Sequence, residues 1–416
     1  MKVLMLTPYV TISSRREYSR NKTGFGYMVL DIARAVGKKA HVDVLTSDSR
    51  GEGFTIDDVA FLAQSYWKML KNIFSCLSPL VVGRLWSLYR MGKGELVRLV
   101  YYWLMTGYLH HLLQTGQYDV VHIHGCGFGT ELWMDVCKRC NQKFVVTLHG
   151  LNSFSDSVNL EQAGKQYERG FLKRVVEGEF PITVISTGMK RLIEQTYGEM
   201  NCPNITVVCN SYSFDDSPKA DLGLPIRQQY GIPQNAKVLL YVGNISPNKN
   251  QIQMVEAFGL LPEELQDNTF VLFCGRLNRE CGVEEAITKQ PNRDHLILCG
   301  SVDKTEMPNY YKAANGVILL SHSEGFGLSL VEGMHFGLPC MMFIDMDAFE
   351  DIYNLCGVVA VSERSNETVA EGLTQLVSQK WNSDDIKAYS KKFESDTMAQ
   401  NYVEIYKCVK DEKAVG

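Results

Sequence analysis

Short apolar runs alternate with helical stretches along almost the whole chain, and this alternation restricts the fold more than any other feature. Residues 3–6, 42–46, 120–123, 144–148, 182–185 and 205–208 are near-continuously apolar, as strands buried on both faces are. Between them, Met28, Val29, Ile32, Ala33 and Val36 form an apolar stripe at helical spacing. Strand–helix repetition predicts a parallel, doubly wound sheet. Around residues 214–233 the text turns polar and Pro/Gly-bearing, which reads as a linker. The pattern then restarts, with strands predicted over 238–242, 270–274, 296–298, 317–320 and 340–344. The chain thus reads as two doubly wound α/β domains, 1–214 and 236–392, joined by a linker over 215–235. A last helix follows within 393–416, its stripe formed by Met398, Tyr402, Ile405, Tyr406 and Val409.

Composition closes off several function classes. With 416 residues, 45% hydrophobic and 21% charged, the chain can bury two cores without disulfides or metal. A net charge of −5 gives no overall cationic footprint for nucleic acid. The 12 cysteines are scattered, unlike a secreted disulfide framework. The opening MKVLMLTP reads as a strand rather than a signal peptide, and no apolar run reaches the length of about 18 residues that a membrane span needs. These features predict a cytoplasmic protein.

One region breaks the alternation. Within a helical insert over 61–116, residues 66–115 carry Lys68, Lys71, Arg84, Arg90, Lys93 and Arg98 against Glu95 alone, a net +5 in a chain of −5. Trp67, Trp86 and Trp103 lie here, and Trp67, Leu70, Phe74 and Leu77 keep helical spacing. A helix of this kind suits an anionic membrane surface, peripheral on its cytoplasmic face; the alternative is a helical subdomain whose aromatics are core.

The segment 321–339, SHSEGFGLSLVEGMHFGLP, carries the chemistry. It follows a strand, turns through Glu324-Gly325-Phe326-Gly327, and enters a helix predicted over 328–336, with Gly337 as its C-terminal stop. A glycine-bearing loop opening a helix presents unbonded amides and the positive end of the dipole, which favour phosphate. Glu324 and Glu332 border that site, and carboxylates are acceptors suited to vicinal hydroxyls.

With its E-x₇-E spacing this segment resembles the retaining GT-B glycosyltransferases of family four. YDVVHIHG (118–125), VVTLHG (145–150), ITVISTGMKRLI (182–193), VVCNSYS (207–213) and LLYVGNISPNKN (239–250) match further family segments in order. The resemblance implies a GT-B fold: two Rossmann-like domains facing each other across a cleft, with the C-terminal helix crossing back onto the first. It implies a nucleotide-diphosphate sugar donor on the second domain, a saccharide or lipid-linked saccharide acceptor on the first, and no cofactor or metal. Carried over by position, Lys249 contacts the diphosphate, Glu332 the ribose and Glu324 the transferred sugar. The backbone of Gly325, Phe326, Gly327 and Leu328 serves sugar and phosphate. Gly24 and Gly26 form the first-domain glycine loop, and His149 sits beside the anomeric centre. Where the family has a diphosphate-binding Arg, this chain has Asn244, which hydrogen-bonds but does not neutralise; Arg276 is the candidate substitute. Two other readings stay open: a degenerate sugar-nucleotide-binding scaffold, favoured by Asn244, and a GT-B sugar-nucleotide epimerase.

Other constellations carry less. His122 and His124 share one side of a strand but have no evident third ligand. Cys137-x-x-Cys140 has no partner pair. No P-loop and no G-x-S-x-G elbow occurs.

Overall fold

The computed structural model describes residues 1–19, 23–47, 52–63, 66–72, 82–83, 85–86, 89, 96–154, 162–178, 180–198, 201–214 and 223–411. Two sheets organise them. In chain order the first comprises β1 (Lys2–Thr7), β2 (His41–Thr46), β3 (Phe54–Ile56), β4 (Val59–Phe61), β5 (Val120–His124), β6 (Phe144–Leu148), β7 (Ile182–Val184) and β8 (Ile205–Val207). Their spatial order is β3-β4-β2-β1-β5-β6-β7-β8, and every neighbouring pair is parallel except β3 with β4. The second sheet comprises β9 (Lys237–Val242), β10 (Thr269–Cys274), β11 (Leu296–Gly300), β12 (Gly316–Leu319), β13 (Cys340–Phe343) and β14 (Val358–Val361), in the order β11-β10-β9-β12-β13-β14. Both sheets therefore reverse direction beside their first strand, at β1/β5 and at β9/β12. Such switch points open a crevice beyond the carboxyl ends of the strands.

The central strands are fully apolar and fully covered: Val3, Leu4, Met5 and Leu6 in the first sheet, and Val238, Leu239, Leu240 and Tyr241 in the second, are buried. Helices on both faces supply the cover. The stripe read from Met28 to Val36 lies on the helix Gly24–Gly37, its members all buried.

Two crossings join the domains and run side by side. Residues Asn210–Phe214 leave the first sheet, and the chain returns through Phe393–Glu394. Tyr212 N–H donates to the Phe393 carbonyl at 3.2 Å, and Tyr212 bridges to Glu394. The helix Ser395–Asp411 then packs on Gly24–Gly37, and its Met398, Tyr402 and Tyr406 are buried in the first domain's core.

The stretch read as linker is partly ordered: Gly223–Gln229 is a helix. Ile226 and Ile232 are buried against the second domain, and the Arg227 guanidinium donates to the carbonyls of Ala313 and Ala236 at 3.1 and 2.9 Å. Pro225 lies in the first turn of this helix, where proline is tolerated, so a residue that looked like a breaker is an initiator.

The insert divides into two surfaces. In the helix Leu96–Gly116, Leu104, Met105, Tyr108, Leu109 and Leu113 are buried under the first sheet, so this part is core. Trp67 on the short helix Tyr66–Lys71 is 76% exposed and Trp86 is 62% exposed. Phe74, Leu77, Arg84, Arg90, Lys93 and Glu95 lie outside the described residues, as does the Arg98 side chain.

Candidate functional site

A cavity of about 690 Å³ lies between the carboxyl ends of the two sheets, lined from both domains. Each wall is a strand-end loop: Gly243-Asn244 after β9, Gly275-Arg276 after β10, Ser301–Lys304 after β11, and Glu324–Leu328 after β12. The first domain contributes Gly24, Asp31, His149 and Asn210. The structure thus brings together Lys249, Asn244, Arg276, Glu324, Gly325, Phe326, Gly327, Leu328, Glu332, Gly24 and His149.

Gly26 is the exception among the sequence candidates. A Cβ there would sit 2.2 Å from Thr11 Oγ1. The Gly26 amide donates to Thr23 Oγ1 at 3.2 Å, and its carbonyl accepts the Thr11 amide at 3.0 Å. Its backbone is spent on helix capping and close packing, and Gly26 is not among the described residues that line the cavity.

The Glu324 loop is held by main-chain geometry. Gly327, with φ +89°, is the N-cap of the helix Leu328–His335, and no side chain caps it. The first-turn amides therefore face the cavity end of the helix, where dipole and donors both favour an anion. At the other end Gly337 takes φ +77°. Its amide donates to Met334 and that of Leu338 to Gly333, at 2.8 and 3.0 Å, which forms a Schellman stop. Phe326 is buried, edge-on to Phe393, so it offers the cavity main chain rather than its ring.

The loops carrying Lys249 and Glu324 are tied as a unit. Asn248 Nδ2 donates to the Ser323 carbonyl at 3.0 Å, and Ser323 N–H donates back to Asn248 Oδ1 at 3.1 Å. The buried Tyr241 hydroxyl accepts the Leu320 amide at 2.8 Å and donates to the Lys249 carbonyl. The Lys249 ammonium and the Glu324 carboxylate form an ion pair.

Glu332 accepts the Tyr311 hydroxyl at 2.6 Å. Burial raises its carboxyl above the usual range and nearby Asp31 adds to this, while Lys304 and the Tyr311 hydrogen bond pull the other way. Lys304 crosses the cleft to Asp31 on the first domain at 2.6 Å and to Ser213 at 3.0 Å. Sequence reading missed Lys304, Asp31, Tyr311 and Tyr241. Tyr311 left only a weak trace, in the Tyr310-Tyr311 pair before β12.

On the first-domain side, His149 follows β6 and meets Phe25 edge-on, centroids 4.9 Å apart. Burial lowers its imidazole to about 4. His149 and Phe25 also line a second cavity, of about 520 Å³, within the first domain. Its walls include Tyr102, Trp133 and the buried carboxylate of Glu168. Two cavities, one chiefly from each domain, thus meet at His149. His122, the other strand histidine, has both ring nitrogens in hydrogen bonds, to Tyr406 and Thr147 hydroxyls at 2.6 Å each.

A clamp holds the domains around this meeting point. The helix Thr187–Tyr197 of the first domain turns its amino end to the second. Thr187 N–H and Oγ1–H donate to the Asp351 carboxylate at 2.7 and 2.6 Å, and Gly188 N–H donates to the Asp347 carbonyl at 3.0 Å. Nearby, Gly325 lies against the His149 carbonyl, which a Cβ would approach to 3.2 Å.

Comparison with known proteins agrees with this architecture. Residues 23–215 match the family described as Glycosyltransferase Family 4, and residues 225–393 match Glycosyl transferases group 1. The D-inositol 3-phosphate glycosyltransferase of Xylanimonas cellulosilytica is 25% identical over 235 residues, 54% of this chain and 55% of that protein. The O-antigen chain mannosyltransferase B of Escherichia coli is 23% identical over 243 residues, 58% of this chain and 63% of that protein. The chain therefore aligns with little more than half the length of these curated relatives. Among solved structures, Anabaena HepE in complex with UDP and glucose superposes with a TM-score of 0.66 at 16% identity, covering 98% of this chain and 100% of that one. Two parallel-sheet domains around one cleft, with both halves matching glycosyl transferase families, place the chain among the GT-B glycosyltransferases.

Proposed function

We propose that this enzyme moves a glycosyl unit from a nucleotide-diphosphate sugar on the second domain to a saccharide or lipid-linked saccharide on the first, with retention of configuration. One observation carries the reading: Lys249, Glu324, Glu332 and an uncapped helix end converge on a cavity that His149 also lines. HepE, of the same fold, was solved with UDP and glucose, which supports this class of donor. The relative named as an O-antigen chain mannosyltransferase supports a role in cell-surface glycan assembly.

The residues suit a leaving diphosphate. Lys249, the Leu328-end amides and the helix dipole oppose the negative charge that grows there, and preorganised groups aimed at developing charge are the strongest catalytic device a site of this kind has. A single donor can answer both halves of the Lys249–Glu324 pair, phosphate oxygens taking the ammonium and sugar hydroxyls the carboxylate. Glu332 accepts from the ribose. The first-domain carboxylate in the cavity, Asp31, is held by Lys304 beside Glu332, on the side assigned to the nucleotide. Among the described residues lining this cavity no carboxylate is assigned to the opposite face of the sugar, which favours retention on one face, the departing phosphate taking the proton of the acceptor hydroxyl. Cleft closure keeps water from the donor. The degenerate-scaffold reading draws on Asn244 alone.

Thermal unfolding against UDP, GDP, ADP and CMP, each free and as sugar conjugates, tests the donor. A ligand at about 100 times its dissociation constant stabilises by roughly 2.7 kcal/mol. One stabilising diphosphate is the expected result; no shift with any of them would overturn the donor assignment, and a shift without transfer or donor hydrolysis by the purified protein would favour the degenerate scaffold.

Trp67 and Leu70 are exposed on the helix that carries Lys68 and Lys71, and Trp86 and Tyr89 are exposed further along the same insert, a composition that suits peripheral binding to an anionic bilayer. Among the described residues no helix is long and apolar enough to cross a membrane. Co-sedimentation with phosphatidylglycerol vesicles at low salt, but not with phosphatidylcholine vesicles, is expected; failure to bind either removes the membrane part.

A further inference from the structure

His149 does not stand alone behind the cleft. His124, at the end of β5, places its Nδ1 3.1 Å from His149 Nε2. His124 is fully buried. The His122 ring lies over it, centroids 3.9 Å apart, but both nitrogens of His122 are engaged by Tyr406 and Thr147. His124 Nε2 is consequently buried with no hydrogen-bond partner.

A neutral imidazole has one N–H and one lone pair, so one ring must give and the other accept. Burial holds both rings below the ordinary histidine range, which makes the neutral pair the relevant state at pH 7. If His149 gave its Nε2 proton, His124 would carry its own on Nε2, leaving a buried N–H without an acceptor. If His124 gives from Nδ1, only a lone pair is left unmatched. Orphaned buried N–H groups are the rarer of the two defects.

We propose that His124 is a positioning residue that donates from Nδ1 to His149 Nε2 and so fixes His149 as the tautomer protonated on Nδ1. The ring that lines both cavities then presents an N–H rather than a lone pair. An N–H donates to any sugar oxygen or developing negative charge, whereas a lone pair accepts only from a hydroxyl. The inference rests on the assignment of His149 to the sugar, and explains why a second buried histidine stands behind it.

Nitrogen-15 spectra of the imidazoles in the full chain test this without any ligand. Wild-type His149 is expected to show a pyrrole-like Nδ1 and a pyridine-like Nε2. His124→Phe keeps a ring in place but removes the donor, and should move the His149 Nε2 resonance to that of a lone pair without a hydrogen bond. His124→Asn sets an amide N–H where Nδ1–H stood and should restore the wild-type pattern; thermal unfolding of each variant confirms that it folds. A wild-type His149 protonated on Nε2, or a pattern unchanged in His124→Phe, overturns the proposal. With the sugar nucleotide that stabilises the protein, nucleoside diphosphate release should fall about tenfold in His124→Phe at nearly constant KM, the scale of one lost hydrogen bond. It should recover in His124→Asn. If His149→Ala retained full turnover while the spectra behaved as expected, the sugar-contacting assignment of His149 would fall and the tautomer would stand.

Discussion

Gly188 is where a single methyl group should separate the domains. It lies in the first turn of the helix Thr187–Tyr197, and its own φ is not left-handed. In isolation alanine would suit that turn better than glycine, by up to about 1 kcal/mol. Against the second domain it cannot fit: its Cβ would lie 2.2 Å from the Asp347 carbonyl oxygen and 2.8 Å from the carbonyl carbon and Cα. Every obstacle is backbone, so relief requires the domains to part by about 1 Å, given the close packing of such contacts. That displacement breaks the Gly188–Asp347 hydrogen bond and loosens both Thr187–Asp351 contacts. One neutral bond at about 1 kcal/mol and one charge-assisted pair at about 2 give a loss near 3 kcal/mol. If closure assembles the site, about 3 kcal/mol against the closed form lowers kcat/KM by roughly 100-fold. Small-angle scattering should show a larger radius of gyration for Gly188→Ala, and the first domain should unfold no earlier than in the parent. A variant with parental dimensions and parental turnover would refute the clamp.

Other changes probe separate parts of the molecule. Glu332→Ala should abolish most of the thermal shift given by the donor nucleotide, while Glu324→Ala keeps that shift and slows transfer; equal effects on binding and turnover in both would sink the two assignments. Burial, with Glu324 nearby, pushes the Asp347 carboxyl up to about 6. Its ionised form therefore costs the folded state above that pH, and nothing is lost below about 4, where folded and unfolded chains are both protonated. Asp347→Asn should accordingly be more stable than the parent at pH 8 by about 2–3 kcal/mol, the gain vanishing by pH 4 in denaturant titrations. Tyr406→Phe leaves the buried His122 Nδ1 without its hydroxyl and should cost about 1–3 kcal/mol of stability in the same titrations. An unchanged midpoint would show that this contact does not help seat the C-terminal helix.

The strands were legible because each central one is covered on both faces and so written in apolar letters. Phe54–Ile56 and Val59–Phe61 were not, being three residues each around a tight turn at Asp57, φ +52°. The helix Gly223–Gln229 hid behind Gly223 and Pro225, which punctuate a loop as readily as they start a helix. The Glu324–Glu332 segment was legible because strand, turn and helix follow within one stretch of chain. Asp31 and Lys304 were not: each is an ordinary charge in its own context, and only the closing of two domains sets them 2.6 Å apart. The Gly24-Phe25-Gly26 loop reads as one motif in the sequence, whereas its two glycines are differently placed in the structure, Gly24 lining the cavity and Gly26 lying against Thr11.

Asn244 brings a neutral side chain to the cavity wall, and this bears on how the cavity handles charge. Among its described lining residues, Lys249, Arg276 and Lys304 face Asp31, Asp303, Glu324 and Glu332, so the wall as a whole does not attract a dianion. Lys249 is paired with Glu324 and Lys304 with Asp31. A diphosphate held here depends on directed groups: the amides at the Leu328 helix end, the exposed Arg276 guanidinium, and a lysine whose present partner is itself a hydroxyl acceptor. Binding then exchanges partners instead of adding charge to charge. Such an exchange favours a ligand that brings phosphate oxygens and sugar hydroxyls together over inorganic diphosphate alone, because only the former satisfies the carboxylate that Lys249 leaves.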